Sequence, residues 1–315
     1  MKVFSSSLPP PFPVIMGPTA SGKSFLALQL AEKYDGEIIS ADSMQIYKGL
    51  DVGTAKPTKE ERAKIPHHLL DIIDITEKYD VFAFRDAAEK AVKEIRERGK
   101  LPVIAGGTGL YMRAIMYGLD ELPSSPELRK SLDEKYDNEE KFPELVAIME
   151  EKAPADAEAF RSHRRKLIRA YEVLLLTGKE MTFLQQAWKR EPRKDAQSFV
   201  LVWENSVLKE RIALRCRQML ESSWIEEAES FIKNGLLSSP TAWQVLGYRQ
   251  IGQYLAGMLK KEELFEKISI ATWQYARRQN TWFRTQHPEA IRISMQNKNS
   301  FRDAERVVMK FSAKE

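Results

Sequence analysis

Residues 17–24 read GPTASGKS, directly after the apolar run FPVIM. Gly17, Gly22, Lys23 and Ser24 occupy the defining places of G-x-x-x-x-G-K-[ST], with Pro18, Thr19, Ala20 and Ser21 between them. Such a loop wraps an anion in successive backbone N–H groups at a helix N-terminus. Lys23 adds a point charge, and the Ser24 hydroxyl is a ligand for Mg2+. Phosphate binding follows, but the owner of the phosphate does not. Phosphoryl-transfer enzymes pair this loop with a second strand ending in an acid that anchors the metal. Here LPVIAGG (101–107) ends in glycines, and Asp71 and Asp74 of HHLLDIID fall within an apolar alternation. The acid that does close a strand is Asp42, in GEIISAD. A carboxylate there holds a metal, takes a proton or caps the next turn. GGTG (106–109) is a second glycine turn and brings the Thr108 hydroxyl toward the same cleft.

Two further segments combine charge with planar rings. RSHRRKLIRAYE spans 161–172, and WQYARRQNTWFR spans 273–284. The second mixes Arg277, Arg278 and Arg284 with Trp273, Tyr275, Trp282 and Phe283. Arginines neutralise backbone phosphates and rings stack on unpaired bases, which is how single-stranded RNA loops are read. The same pattern equally describes a helix with core aromatics and solvated arginines. His67 and His68 have no Cys or carboxylate at ligand spacing and are expected to be structural. Cys216, the lone cysteine, is expected to be ordinary packing.

The elements that must carry these residues alternate in the first third. FPVIM, GEIIS, HHLLDIIDI and LPVIAGG read as strands; SFLALQLAEKY, VFAFRDAAEKAVKEIRER and TGLYMRAIMYG read as helices. Asp80 is the predicted N-cap of the second helix, and PPPFP before the first strand is a stiff extended lead-in. Strand–helix alternation predicts an α/β fold, a P-loop NTPase-like parallel sheet with its ligand beyond the carboxyl ends of the strands. After residue 120 the strand signal fades into helices up to about 190, EPRKDAQ returns the chain, SFVLVWEN is one more strand, and helices follow to the end. The predicted organisation is a core of 1–120 and 196–315 interrupted by a helical insertion domain, 121–195.

The composition bounds the class. Of 315 residues, 43% are hydrophobic and 10% aromatic, as in a globular chain rather than a disordered one. No run of about 18 apolar residues exists to span a membrane. The start lacks an apolar signal core, so a cytoplasmic location is expected. The net charge is only +4, but it is segregated: 121–160 hold 5 Lys/Arg against 12 Asp/Glu, and 161–194 hold 10 against 3. A basic face of this kind attracts polyanions.

Taken together, GPTASGKS, SADSMQIYKGLDVGTAKP, PHHLLDI, FAFRDAA, LPVIAGGTGLY, LIRAYEVLLLTGK, LGYRQ and ARRQNTWFR resemble the tRNA dimethylallyltransferases, in family order over nearly the full length. The resemblance implies transfer of a dimethylallyl group from dimethylallyl diphosphate to N6 of adenosine 37, in tRNAs reading codons that begin with U. It assigns the loop 17–24, with Lys23 and Mg2+ on Ser24, to the leaving diphosphate. Asp42 would be the base, Thr108 would stand near the reacting centre, and Arg215, in R-I-x-x-R-x-x-x-M, would be a diphosphate partner. For tRNA it implies Asp42, Ser43, Met44 and Gln45 with Thr108 at the target base. Lys130 and Arg165, Lys166, Leu167, Ile168 and Arg169 would contact it from the insertion. Gly247, Tyr248, Arg249, Gln250, Arg277, Arg278, Asn280, Trp282 and Arg284 would contact it from the core. With one cysteine, the chain lacks the C-terminal zinc finger of many eukaryotic relatives and is expected to be bacterial in type and monomeric. A P-loop nucleoside kinase and an RNA-binding nucleotide switch remain the rival readings; the first lacks its strand-end acid, and the second leaves SADSMQIYKGLDVGTAKP unexplained.

Overall fold

The computed structural model describes residues 11–186, 190–297 and 299–312; the lead-in prolines Pro9 and Pro10 lie outside them. Among the described residues six strands form one sheet: β1 (Phe12–Met16), β2 (Gly36–Ser40), β3 (His67–His68), β4 (Leu101–Gly106), β5 (Ala196–Trp203) and β6 (Ile291–Met295), in the order β3-β2-β4-β1-β5-β6. All neighbours are parallel, with Val14 beside Ile104 and Ser198, and Ile38 beside Val103. β1 and β2 are buried along their whole length, which is why they read as continuous apolar runs rather than alternations.

The helices of this unit are α1 (Lys23–Lys33), α2 (Lys59–Lys64), α3 (Val81–Glu97) and α4 (Gly109–Tyr117). Its C-terminal part adds α10 (Asn205–Glu221), α11 (Trp224–Lys233), α12 (Tyr248–Leu255), α13 (Lys261–Gln286) and α14 (Ser300–Ser312). Asp80 caps α3 as predicted, its carboxylate accepting from the N–H groups of Phe82 and Ala83. A capping box of Thr58 and Glu61 starts α2. On one face of the sheet the core gathers Ile15, Phe199 and Leu201 with Leu26 and Leu30 of α1, Ile212 of α10 and Ile268 of α13.

The chain divides into two compact units, Met1–Met116 with Arg193–Glu315 and Tyr117–Pro192. The second holds α5 (Pro126–Tyr136), α6 (Phe142–Lys152), α7 (Pro154–Phe160), α8 (Arg164–Thr177) and α9 (Met181–Leu184) around Leu132, Leu145, Met149, Leu167, Ile168 and Val173. Two fully buried carboxylates lock it. Glu172 accepts from Arg129, Arg169 and the Ser125 N–H, and Asp156 accepts from the N–H groups of Met181 and Thr182.

Two sequence expectations fail. HHLLDIIDI is a strand only at His67–His68, with an isolated bridge from Ile73 to Tyr47. Leu69 and Asp71 adopt φ of 62° and 55°, which no strand accommodates. The turn pays for itself by aiming Asp71 at Lys56 and Arg62, 2.5 Å from each. The C-terminal region is not wholly helical either. IRISM forms β6, pairing Phe199 to Ile291 and Trp203 to Met295. Its short alternation, with Ile293 and Met295 buried against exposed Arg292 and Ser294, was visible but overshadowed by flanking helices.

Candidate active site

The carboxyl ends of β1, β2 and β4 open into one cavity of about 420 Å3. Its walls include Thr19, Ala20, Gly22, Lys23 and Ser24 from the loop after β1, Asp42, Ser43, Met44 and Gln45 after β2, Gly106 from β4, Arg215 from α10, and Tyr275, Arg278 and Gln279 from α13. Each strand ends and turns at the sheet's edge, so residues distant in sequence meet there.

The loop at 17–24 is braced from outside. Ser21 N–H returns to Pro18 O at 3.2 Å, and Ala20 sits at φ 62°. Trp203 Nε1, at the end of β5, donates to Ser21 O at 2.9 Å. Arg211 Nε donates to Ala20 O at 2.9 Å and lies 4.3 Å over the Trp203 ring. Gly22 has φ 89°, and a Cβ there would meet the Phe301 ring at 2.3 Å, so α14 closes over the loop only because this residue is glycine.

Lys23 and Arg215 are the cleft's half-buried cations, and Arg278, also in its wall, is exposed. Burial pulls the Lys23 ammonium down to about 8, opposed by the Asp42 charge and assisted by the like charge of Arg215. Burial also lowers Arg215. Lys23 Nζ reaches only Pro18 O, at 3.4 Å, and Arg215 makes no ion pair or hydrogen bond among the described residues. Asp42 is the one carboxylate in the lining. Its Oδ1 accepts from Met44 N–H at 2.9 Å, and Oδ2 has no protein partner among the described residues. Tyr275, beside it, is pushed upward by burial and by the Asp42 charge, so its phenol stays protonated.

The Thr108 hydroxyl accepts from Ser43 N–H at 2.9 Å and donates to Ser43 Oγ at 3.2 Å, tying α4's start to the Asp42 turn. Gln45 is a clamp: Oε1 accepts from Ser40 Oγ at 2.8 Å, and Nε2 donates to Thr54 O at 3.0 Å and Ala55 O at 3.3 Å. Its side-chain amide is therefore spent on protein, not offered to a base.

The other residues anticipated at an RNA surface divide by exposure. Arg249, Arg277, Arg278 and Arg284 are exposed, Gln250 and Asn280 are half-buried, and Gly247 is buried. Trp282 packs on Gly109, where a Cβ would lie 2.4 Å from its ring. Tyr248 does not face a ligand: it is fully buried, donates to Glu227 and packs against Trp224. In the second unit, Arg165, Lys166 and Lys130 are exposed, Lys130 beside Glu134. Leu167 and Ile168 correct the sequence reading, because both side chains are buried in that unit's core. Arg169 is committed to Leu122 O, Pro123 O and Glu172.

Several contributors were not anticipated. Glu227 accepts from the N–H groups of Asp51, Val52 and Gly53 and so holds the loop of GTAKP. Lys56 of the same loop is buried and donates to Tyr47 O and to Asp51 and Asp71. Nothing in an acid on an amphipathic helix announces such a role. Trp203 was legible as the last residue of a strand at the sheet's ligand edge. His68, expected to be structural, pairs with Glu37 at 2.7 Å, and Cys216, expected to pack, lies buried beside Thr272.

The IPP transferase family model matches residues 45–286. The chain belongs to this family. It is 42% identical to a tRNA dimethylallyltransferase of Methylococcus capsulatus over 87% of this chain and 89% of the relative, and 43% identical to one of Paenarthrobacter aurescens over 87% and 89%. Among solved structures it is similar to the tRNA isopentenylpyrophosphate transferase of Bacillus halodurans, at 32% identity and TM-score 0.69, over 95% of this chain and 96% of that one. A eukaryotic dimethylallyltransferase acting on tRNA aligns with TM-score 0.80 at 26% identity, over 95% and 78%.

Proposed function

We propose that this enzyme, which transfers a dimethylallyl group to tRNA, takes the group from dimethylallyl diphosphate, places it on N6 of adenosine 37 in tRNAs that read codons beginning with U, and releases diphosphate. The observation that carries the reading is the pair Lys23 and Arg215, two cations in one cleft with no ion-pair partner among the described residues. A pocket so charged attracts a multiply charged anion, and the sole lining carboxylate, Asp42, is left to work as a base.

The bond from the allylic C1 to the diphosphate oxygen breaks, its electron pair leaving with the diphosphate. The N6 lone pair forms the new C–N bond, and the N6 proton passes to Asp42. Lys23, Arg215 and the loop's N–H groups stabilise charge growing on the leaving group, which is commonly the largest single contribution to catalysis. Met44 N–H holds Oδ1 of Asp42, a residue of the cavity wall, and leaves Oδ2 without a partner among the described residues. The adenine must leave its stack to reach that oxygen, which is easier in a loop than in a duplex.

The donor set suits a Mg2+ shared with the substrate. Ser24 is exposed in the cleft, and the described residues contain no group of three or more His, Cys, Asp or Glu that could hold a metal alone. Magnesium is commonly held by few protein oxygens plus substrate phosphates. When bound, it adds Lewis-acid neutralisation of the diphosphate.

Asp42→Ala is expected to lower the single-turnover rate by about 10²–10⁴-fold, the usual share of positioned proton transfer. Its tRNA affinity should stay within about tenfold, a loss of some 1.4 kcal/mol. A variant that keeps most of its rate removes Asp42 as base.

A further inference from the structure

One residue of the phosphate loop already has its N–H taken. Thr19 donates to Oε1 of Gln279 at 2.8 Å, and Gln279 Nε2 donates to Gly107 O at 2.8 Å. Gln279 arrives from α13 and is 6% exposed. A Cβ built on Gly107 would lie 2.4 Å from Gln279 Nε2, and 3.5 Å from both Gly17 O and Lys23 Nζ. The carboxamide therefore fills the corner between the start of the loop, the GGTG turn and the Lys23 ammonium.

In a loop of this sequence that serves a nucleoside triphosphate, the amides cradle the first two phosphates and the lysine reaches the second and third. The third phosphate lies beyond the lysine. Here the Lys23 ammonium has Pro18 O at 3.4 Å, and Gln279 with the carbonyl oxygens of Gly17 and Gly107 lies in the corner beside it. Acceptor oxygens facing phosphate oxygens repel them, and displacing Gln279 would leave Thr19 N–H and Gly107 O without their partner.

We infer that Gln279 sets the length of the anion the loop accepts, admitting two phosphates and excluding a third. The inference rests on the diphosphate reading of the cleft and adds to it the residue that separates a prenyl diphosphate from a nucleoside triphosphate. Rejection built from a filled corner and opposed acceptors needs no contact with the donor's prenyl chain.

Calorimetric titration of the full chain with Mg2+, using inorganic pyrophosphate and inorganic tripolyphosphate as probes, reads this directly. The unsubstituted protein is expected to bind pyrophosphate at least about tenfold more tightly than tripolyphosphate. Gln279→Ala, which empties the corner and frees Thr19 N–H, should bring the two affinities within about threefold of each other. Gln279→Glu keeps the side chain's size and an acceptor for Thr19, so it should fold even if the alanine variant does not. Its added charge should widen the preference for pyrophosphate by about threefold or more. A preference that does not move in either variant, or moves the same way in both, overturns the inference and leaves the diphosphate reading standing. Equal binding of the two probes by the unsubstituted protein does the same. A protein that binds neither probe overturns both.

Discussion

A bound anion favours the charged form of the Lys23 side chain. Burial depresses it to about 8, so near pH 8.5 much of the free protein carries a neutral amine. A bound diphosphate favours the ammonium, and binding there should take up a fraction of a proton from the buffer. Titrating pyrophosphate at pH 8.5 in buffers of different ionisation heats measures that uptake. It should shrink markedly in Lys23→Arg, whose guanidinium does not titrate. Uptake identical in both proteins would place the titration elsewhere. Folding carries the opposite signature. The unfolded lysine holds its proton up to about 10.5 and the folded one loses it near 8. Between those values the unfolded state binds more protons, so this group's contribution makes stability rise with pH.

The elements differ in how openly the chain announced them. β1, α1, β2, α3, β4 and β5 followed from apolar periodicity and capping, since each is long and buried on a regular face. β3 did not, because Leu69 and Asp71 turn left-handed to serve the ion pairs of Lys56 and Arg62, a demand set by residues up to 15 positions away. Asp42, Lys23 and Thr108 were readable as strand-end chemistry. Gln279 and Glu227 were not, because each acts through backbone atoms whose position only the folded sheet defines. Gly53 shows the same coupling: a Cβ would sit 2.3 Å from Trp224 Nε1 and from the Tyr248 ring. Removing the acid that holds this loop should be costly. Glu227→Ala strips an acceptor from three N–H groups and from Tyr248, and is expected to destabilise by about 2–3 kcal/mol, seen as a lower urea midpoint with unchanged slope. A shift under about 0.5 kcal/mol would show that the loop is held by its other contacts, those of Gln45 and Lys56, without Glu227.

The two units carry different kinds of information. The sheet unit holds Lys23, Asp42 and Arg215, and its cavity is lined by residues from seven separate stretches of the chain. The helical unit presents Arg165 and Lys166 on α8 while its apolar pair, Leu167 and Ile168, is consumed by packing. Surface cations that meet phosphates act without regard to sequence, so each should add about one to the salt dependence of tRNA binding. Arg165→Ala with Lys166→Ala is accordingly expected to reduce the slope of log affinity against log salt by nearly 2, read by filter binding over 50–200 mM salt. An unchanged slope would remove this helix face from the RNA surface. The alternation of strand and helix, and its fading after residue 120, made the helical segment legible. The fate of individual cations was not, because Arg169 is captured by Glu172 and by carbonyls of its own unit. The decisive experiment addresses the group that is transferred. The protein is mixed with Mg2+, an anticodon stem-loop RNA and dimethylallyl diphosphate labelled in its prenyl carbon, and in parallel with labelled ATP. The expected result is prenyl label on the RNA, at N6 of the adenosine 3′ to the anticodon, with free diphosphate released in equal amount. Phosphate release from ATP with no prenyl label on RNA would contradict the proposed reaction.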